Sequence, residues 1–208
     1  MTTICVPDAE ARELLGELPP GMQAVTWDGS GQPPPGSEDV TFLVARYALH
    51  AMASDALAQL PALRVIQLQS AGVEAWLDRV PEGVVLCNAR GVHGGSTAEL
   101  AVAGILSVLR QLPHFVQTQA AHEWARTDTD GLDGKRVLIL GAGDIGRRVA
   151  AAVTVFDAQV TFVARRARDE VHGLAELPDL LPQHDIVVVA VPHTPETEGF
   201  FDASKLRL

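Results

Sequence analysis

Short apolar segments, most of them rich in Val, Ile and Leu, recur along the whole chain. They lie at 3–7, 22–26, 40–45, 64–69, 84–88, 135–140, 158–164 and 185–192. Most lack the alternation of apolar and polar residues that marks a half-exposed strand, so we expect strands covered on both faces, as in a parallel sheet. Helical segments lie between many of these strands. The pattern therefore predicts an α/β protein.

A longer helix is predicted from Ser96 to about His122, because apolar residues recur there at helical intervals. Pro113 is expected to kink or split it, since proline removes a backbone donor. The tract at 127–134 is polar and rich in turn-forming residues, and a new strand follows. The expected organisation is an α/β domain at 1–95, a connecting helix and linker at 96–130, and a second α/β unit at 131–208.

Composition narrows the range of functions. Of 208 residues, 47% are apolar and 20% charged, which is typical of a globular protein. A net charge of -10 and a pI near 5.0 argue against a nucleic-acid partner, which would require a broad basic surface. No signal peptide or membrane-length apolar run is evident, so we expect a cytoplasmic protein without a membrane partner. Cys5 and Cys87 lie in apolar segments and are expected to be buried thiols, and no metal site is predicted.

The strongest local motif is a glycine-rich turn between a strand and a helix. KRVLIL runs into Gly141, Gly143 and Gly146, and Asp144 and Ile145 open the helix. The first glycine permits a tight turn, the second lets a pyrophosphate approach the backbone, and the third lets the helix pack closely on the strand. The helix N-terminus offers unpaired N–H groups to the phosphates. A second strand follows at βαβ spacing, which favours dinucleotide binding over a tight turn without a ligand.

The end of that second strand bears on the choice of cofactor. An acidic residue there usually binds the ribose 2′-hydroxyl of NAD, whereas this chain has Arg165 and Arg166, with Arg168 close behind. Asp157 precedes the strand and Asp169 lies several residues beyond its end. Guanidinium groups hold a 2′-phosphate by paired, charge-assisted hydrogen bonds. The sequence therefore favours NADP(H) over NAD(H), the alternative being an ordinary solvated basic loop.

Several further segments agree in order and spacing with one family. They are Gln69–Glu74, Asn88–Gly91, Ser96–Leu100, Trp124, the stretch LDGKRVLILGAGDIGRRVA and Val191–Thr197. Together with the glycine turn they resemble the D-isomer-specific 2-hydroxyacid dehydrogenases over nearly the whole chain. The arginines after the second strand resemble the glyoxylate and hydroxypyruvate reductase branch. A methyltransferase that uses S-adenosylmethionine also accommodates a glycine-rich first turn, but HTPET and the arginines argue against it.

This resemblance implies a flavodoxin-like N-terminal domain followed by an incomplete Rossmann dinucleotide-binding domain. It implies that a small 2-oxo or 2-hydroxy acid is the substrate, and it allows a homodimer. The backbone amides of a loop would hold the substrate carboxylate, and the strand ends and the long helix would border the cofactor. The corresponding substrate-binding residues are Ala71, Gly72 and Val73, and the further cofactor-binding residues are Thr97, Val191 and Pro192.

The family's catalytic groups are an arginine that polarises the substrate and a histidine, supported by a glutamate, that donates the proton. All three follow the VPHTPET segment at a distance that takes them past Leu208, so no catalytic residue is assigned. His50, His93 and His193 are not expected to substitute, and Glu99 is expected to have no role as a base. We expect a shortened version of a longer oxidoreductase; the alternative is a catalytically inactive dinucleotide-binding or interaction module.

The dinucleotide fold has the strand order 3-2-1-4-5-6. Taking 135–140, 158–164 and 185–191 as its first three strands leaves the first strand without a neighbour on one side. An apolar unpaired edge is an aggregation hazard, so marginal stability is expected.

Overall fold

The computed structural model describes residues 2–47, 52 and 54–207. They form two compact units, one ending at His93 and the other beginning at Gly94. The long predicted helical segment falls in the second unit. No helix of the described residues is long and apolar enough to cross a membrane.

The first unit is built on a five-stranded parallel sheet with the order β2-β1-β3-β4-β5. The strands are β1 Thr2–Val6, β2 Met22–Thr26, β3 Val40–Val44, β4 Val65–Gln67 and β5 Val85–Cys87. The helices are α1 Ala9–Leu14 and α2 Ser54–Leu57, with 3-10 turns at Ser37–Asp39 and Glu74–Trp76. Asp8 begins α1, because its carboxylate accepts a hydrogen bond of 2.8 Å from the Ala11 N–H.

The core of the first unit lies on the central strands of this sheet. Cys5, Leu43 and Ile66 are fully buried, and Trp76 is nearly so. Both cysteines are free, and burial raises the pKa of the Cys5 thiol to about 11. Cys87 is half-buried, so only Cys5 lies in the core as predicted.

The second unit carries a four-stranded parallel sheet with the order β8-β7-β6-β9. Its strands are β6 Arg136–Leu140, β7 Gln159–Ala164, β8 Val171–Gly173 and β9 Ile186–Val189. Its helices are α3 Gly94–Leu109, α4 Leu112–Ala120, α5 Asp144–Thr154 and α6 Leu177–Leu180, and 3-10 turns occupy Leu174–Glu176, Leu181–Gln183 and Lys205–Arg207.

The predicted split of the long helix is confirmed. Between α3 and α4, Gln111 adopts a left-handed conformation with φ of 50°. Pro113 lies in the first turn of α4. Proline is tolerated there because the N–H that it lacks would have no partner within the helix.

The predicted order of the nucleotide-unit strands is wrong. The segment at 185–191 contributes β9, which pairs with β6 and not with β7, so β6 has a neighbour on both sides. The third strand in the fold's order is β8, a three-residue segment that pairs with the far side of β7. The apolar strand β6 is therefore not an edge, and the aggregation hazard expected from it does not arise. Within the described sheet, the edges are β8 and β9.

Alternate residues of β6 enter two separate cores, as the two-residue period of a strand requires. Val137 and Ile139 pack with Val149 and Val153 of α5 and with Ala98 of α3. The opposite face contains a second cluster, formed by Leu138, Leu140, Val163, Leu177 and Leu181. The sheet is thus covered by helices on both faces, which leaves its strand ends as the accessible region.

Candidate nucleotide-binding site

Gly141 begins the turn at the carboxyl end of β6. Its φ is 110°, which L side chains rarely adopt, and an added Cβ would collide with the carbonyl oxygen of Ala190. Its N–H donates a 2.8 Å hydrogen bond to the Val163 carbonyl. Gly141 is therefore held between the ends of β7 and β9, and the tight turn requires a glycine.

Gly146 lies in the first turn of α5 and is buried. A Cβ at this position would collide with the carbonyl oxygen of Gly141 and would lie 3.1 Å from Cγ2 of Ile139. The absence of a side chain therefore lets α5 start directly against the end of β6.

Gly143 differs from both of these glycines. It caps α5 in an extended conformation with φ of -87°, and no side chain caps the helix there. An added Cβ would meet no atom within 4 Å. Packing within this chain does not require a glycine at this point, whereas close approach of a ligand to the backbone does. The N–H groups of the first helical turn have no partner within the helix, so this space suits a pyrophosphate.

The side chains of Asp144 and Ile145, which follow Gly143, contact other residues of this chain. Ile145 packs against the core shared by α3 and α5. The Asp144 carboxylate accepts a 3.0 Å hydrogen bond from Nε of Arg148, and its other oxygen lies where a Cβ on Gly94 would be. That second oxygen is buried and has no hydrogen-bond partner among the described residues. Asp144 and Ile145 can therefore serve a phosphate only through their backbone N–H groups.

The arginine segment follows β7 at the same edge of the sheet. Arg165 and Arg166 lie in an exposed bend directly after Ala164. Arg168 pairs through its backbone with Val171, with N–O distances of 3.0 and 2.8 Å, and this pairing returns the chain into β8. No ion pair involves these three arginines among the described residues. The bend therefore offers accessible guanidinium groups.

Neither nearby aspartate lies at the end of β7. Asp157 precedes the strand, in a turn with φ of 60°, and is thus at the opposite end of the sheet. Asp169 lies in the exposed turn between Arg168 and β8. Neither aspartate therefore lies directly after β7, where an acidic residue would bind the ribose 2′-hydroxyl of NAD.

The segment that follows β9 also lies at the edge of the sheet where the strands have their carboxyl ends. The Ala190 N–H donates a 2.8 Å hydrogen bond to the Leu140 carbonyl, which ties the segment to the start of the glycine turn. Val191 packs at the border of the cluster around Leu138, and Pro192 is exposed. The contact of Ala190 with Gly141 was not foreseen from the sequence, because only the pairing of β9 with β6 creates it.

The loop with the predicted substrate residues lies in the first unit, after β4. Nδ2 of Asn88 donates a 2.9 Å hydrogen bond to the Ala71 carbonyl. Among the described hydrogen bonds, none uses the N–H of Ala71, Gly72 or Val73 as donor. A Cβ on Gly72 would lie 2.8 Å from an oxygen of Glu74. The loop therefore has amides available for a carboxylate, and its role in substrate binding stays a prediction.

The remaining candidates lie in exposed positions. Thr97 and Glu99 are exposed on α3, and His193 is exposed after β9. His93 has a ring contact with Tyr47, with centroids 5.6 Å apart. His50 lies outside the described residues. No group of three or more potential metal ligands occurs in the described part of the chain.

A parallel βαβ arrangement, a glycine turn with open space over Gly143 and a helix N-terminus without a side-chain cap are the features of a Rossmann-type dinucleotide-binding unit. Residues 102–208, just over half of the chain, match the model of the NAD-binding domain of D-isomer-specific 2-hydroxyacid dehydrogenases. The chain belongs to this family, as the sequence motifs indicated.

Individual relatives agree with this assignment. The chain is 34% identical to D-3-phosphoglycerate dehydrogenase of Mycobacterium leprae over 166 aligned positions, covering 74% of this chain and 31% of that protein. It is 30% identical to glyoxylate reductase of Aeropyrum pernix over 224 aligned positions, covering 96% of this chain and 64% of the relative. A crystal structure of a D-isomer-specific 2-hydroxyacid dehydrogenase family protein from Aeromonas salmonicida superposes with a TM-score of 0.84 at 30% identity, over 98% of this chain and 68% of that one.

The chain thus spans about a third of the phosphoglycerate dehydrogenase and about two thirds of the other two proteins.

Proposed function

We propose that this chain supplies the cofactor site and the substrate-carboxylate loop of an NADP(H)-dependent oxidoreductase that reduces a small 2-oxo acid. The observation that carries the proposal is the open space over Gly143 at the bare N-terminus of α5. Family membership supports a nicotinamide dinucleotide as the ligand, and the exposed arginines after β7 support a 2′-phosphate on it.

Each part of the site has a separate task in this proposal. The N–H groups of residues 144–146 bind the pyrophosphate, where the positive end of the helix dipole favours negative charge. Arg165 and Arg166 bind the 2′-phosphate, and Thr97, Val191 and Pro192 border the cofactor. When bound, the reduced nicotinamide supplies the hydride that the 2-oxo carbon accepts. The described residues include no side chain to which we assign the proton transfer.

We expect the double variant Arg165→Ala/Arg166→Ala to bind NADPH about tenfold to a hundredfold more weakly, because charge-assisted hydrogen bonds are lost. Its affinity for NADH, which has no 2′-phosphate, should change little. Isothermal titration calorimetry with both nucleotides measures the difference. Arg110→Ala/Arg126→Ala, which removes two exposed arginines that lie after α3 and in the linker before β6, is the control for net charge. Equal affinity of the unmodified chain for NADPH and NADH would contradict the proposed preference.

The substrate side of the proposal has its own test. We expect oxamate, an unreactive analogue of a small 2-oxo acid, to shift the backbone amide resonances of Ala71, Gly72 and Val73 in an NMR titration with NADPH present. Fixed N–H donors hold a carboxylate without a mobile cation, so the shifts should be confined to this loop and its neighbours. Acetamide, which is neutral, serves as the control ligand. Shifts elsewhere with none at these three amides would show that the loop does not bind the carboxylate.

A further inference from the structure

A carboxylate lies at the helix end to which the proposed function assigns the pyrophosphate. Asp144 is the first residue of α5, and its N–H is one of the donors assigned to the phosphates. The positive end of a helix dipole attracts any anion, so the Asp144 carboxylate could occupy the position of the ligand. A carboxylate beside the phosphates would also repel them. The affinity for a dinucleotide therefore depends on where this side chain is held.

The Asp144 carboxylate is held against α3, between Arg148 and Gly94. Its Oδ1 accepts a 3.0 Å hydrogen bond from Nε of Arg148, which lies one turn further along α5. Its Oδ2 lies where a Cβ on Gly94, the first residue of α3, would be. A Cβ on Gly143 would have neither the Arg148 side chain nor Gly94 within 4 Å. The carboxylate is therefore bound on the side of α3 and not over Gly143.

The two glycines that begin α3 make room for this ion pair. A Cβ on Gly94 would also lie 3.2 Å from Nε of Arg148, and a Cβ on Gly95 would lie 3.8 Å from Nη1 of the same arginine. Glycine is a poor helix former, so the stability of α3 does not explain two glycines in its first turn. Oδ2 of Asp144 is buried and accepts no hydrogen bond among the described residues, which also lowers stability. The arrangement therefore requires a reason other than stability.

We propose that Arg148 is a positioning residue for the cofactor: it holds the Asp144 carboxylate against Gly94, so that the N-terminus of α5 stays available to the pyrophosphate. The inference rests on the proposed dinucleotide site. In this arrangement the carboxylate lies beside the N-terminus of α3, where the positive dipole end of that helix offsets its charge. Both side chains of the ion pair are partly exposed, so the effect is modest and weakens as salt screens it.

Arg148→Met removes the charge that holds the carboxylate and keeps an apolar stem. We expect it to weaken NADPH binding by the full chain about threefold to tenfold in a calorimetric titration, because the released carboxylate repels the phosphates. Arg147→Met is the matched control: it removes an equal charge from the adjacent position, where the guanidinium lies 5.7 Å from the centroid of the Phe162 ring. In an Asp144→Asn background there is no charge to hold, so Arg148→Met should cost no more affinity than the control.

Gly94→Ala tests the same arrangement from α3. The added Cβ would take the place of Oδ2 and displace the flexible end of the Asp144 side chain. We expect this variant also to bind NADPH about threefold to tenfold more weakly, and Gly94→Ala/Asp144→Asn to bind within about twofold of Asp144→Asn alone. Gly104→Ala, with open space around the added Cβ, is the control on the same helix. Urea denaturation of every variant separates a loss of affinity from a loss of the fold.

An affinity that Arg148→Met lowers no more than Arg147→Met does overturns the inference. So does a loss that persists undiminished in the Asp144→Asn background, because Arg148 would then attract the phosphates directly. These outcomes leave the proposed function standing as long as the unmodified chain binds NADPH and Gly143→Val weakens that binding. No binding by the unmodified chain, or binding that Gly143→Val leaves unchanged, contradicts the proposed function, and the inference falls with it.

Discussion

Gly146→Ala is expected to destabilise the second unit by about 2–3 kcal/mol, the upper part of the range for overpacked sites. The added Cβ would meet the backbone carbonyl of Gly141, which cannot rotate away as the end of a flexible side chain can. That carbonyl belongs to a turn tied to Val163 and in contact with Ala190. Relief of the collision would therefore displace α5 from β6 and loosen the core around Val149.

Urea denaturation followed by circular dichroism measures this change. Gly104→Ala is the matched control, because Gly104 lies within α3 and an added Cβ there would meet nothing within 4 Å. The control should be neutral or stabilising by up to about 1 kcal/mol, as helix propensity predicts. Equal stability of the two variants would show that α5 does not pack on the turn as closely as described.

The sequence predicted the positions of the strands well and their order less well. β2 has the predicted bounds, and β6, β7 and β9 lie within their predicted apolar segments. Apolar segments identify strands because buried strands require apolar side chains. The same pattern does not indicate which strands pair with each other. β8 was not predicted, because its three residues, Val-His-Gly, include only one large apolar side chain. Without β8, the segment at 185–191 was assigned the wrong place in the sheet.

The same limitation applies to the site. Residues adjacent in sequence to the glycine turn could be assigned local tasks, and the structure places Gly141 and Gly146 where those tasks require a glycine. The contact of Gly141 with Ala190 depends on the pairing of β9 with β6. Such contacts between distant segments follow from sheet topology and could not be predicted from local patterns.

Gly143→Val is expected to abolish most cofactor affinity while leaving the fold intact. The extended backbone at Gly143 suits a β-branched residue, and the chain leaves open space around an added Cβ. The unfolding free energy should therefore change by less than about 1 kcal/mol. The isopropyl group would occupy the space assigned to the pyrophosphate. The loss of one or two charge-assisted hydrogen bonds lowers the affinity by a factor of about ten to a hundred.

Calorimetric titration of NADPH into the unmodified chain, Gly143→Val and the control Gly131→Val tests the central claim that the turn at 141–146 binds the dinucleotide. Gly131 also has open space around an added Cβ, but it lies in the linker before β6. We predict that the unmodified chain and Gly131→Val bind NADPH alike, and that Gly143→Val, with an unchanged denaturation curve, binds at least tenfold more weakly, on the order of one lost hydrogen bond to a charged group. Equal binding by a folded Gly143→Val would contradict the account, because the pyrophosphate would then lie elsewhere.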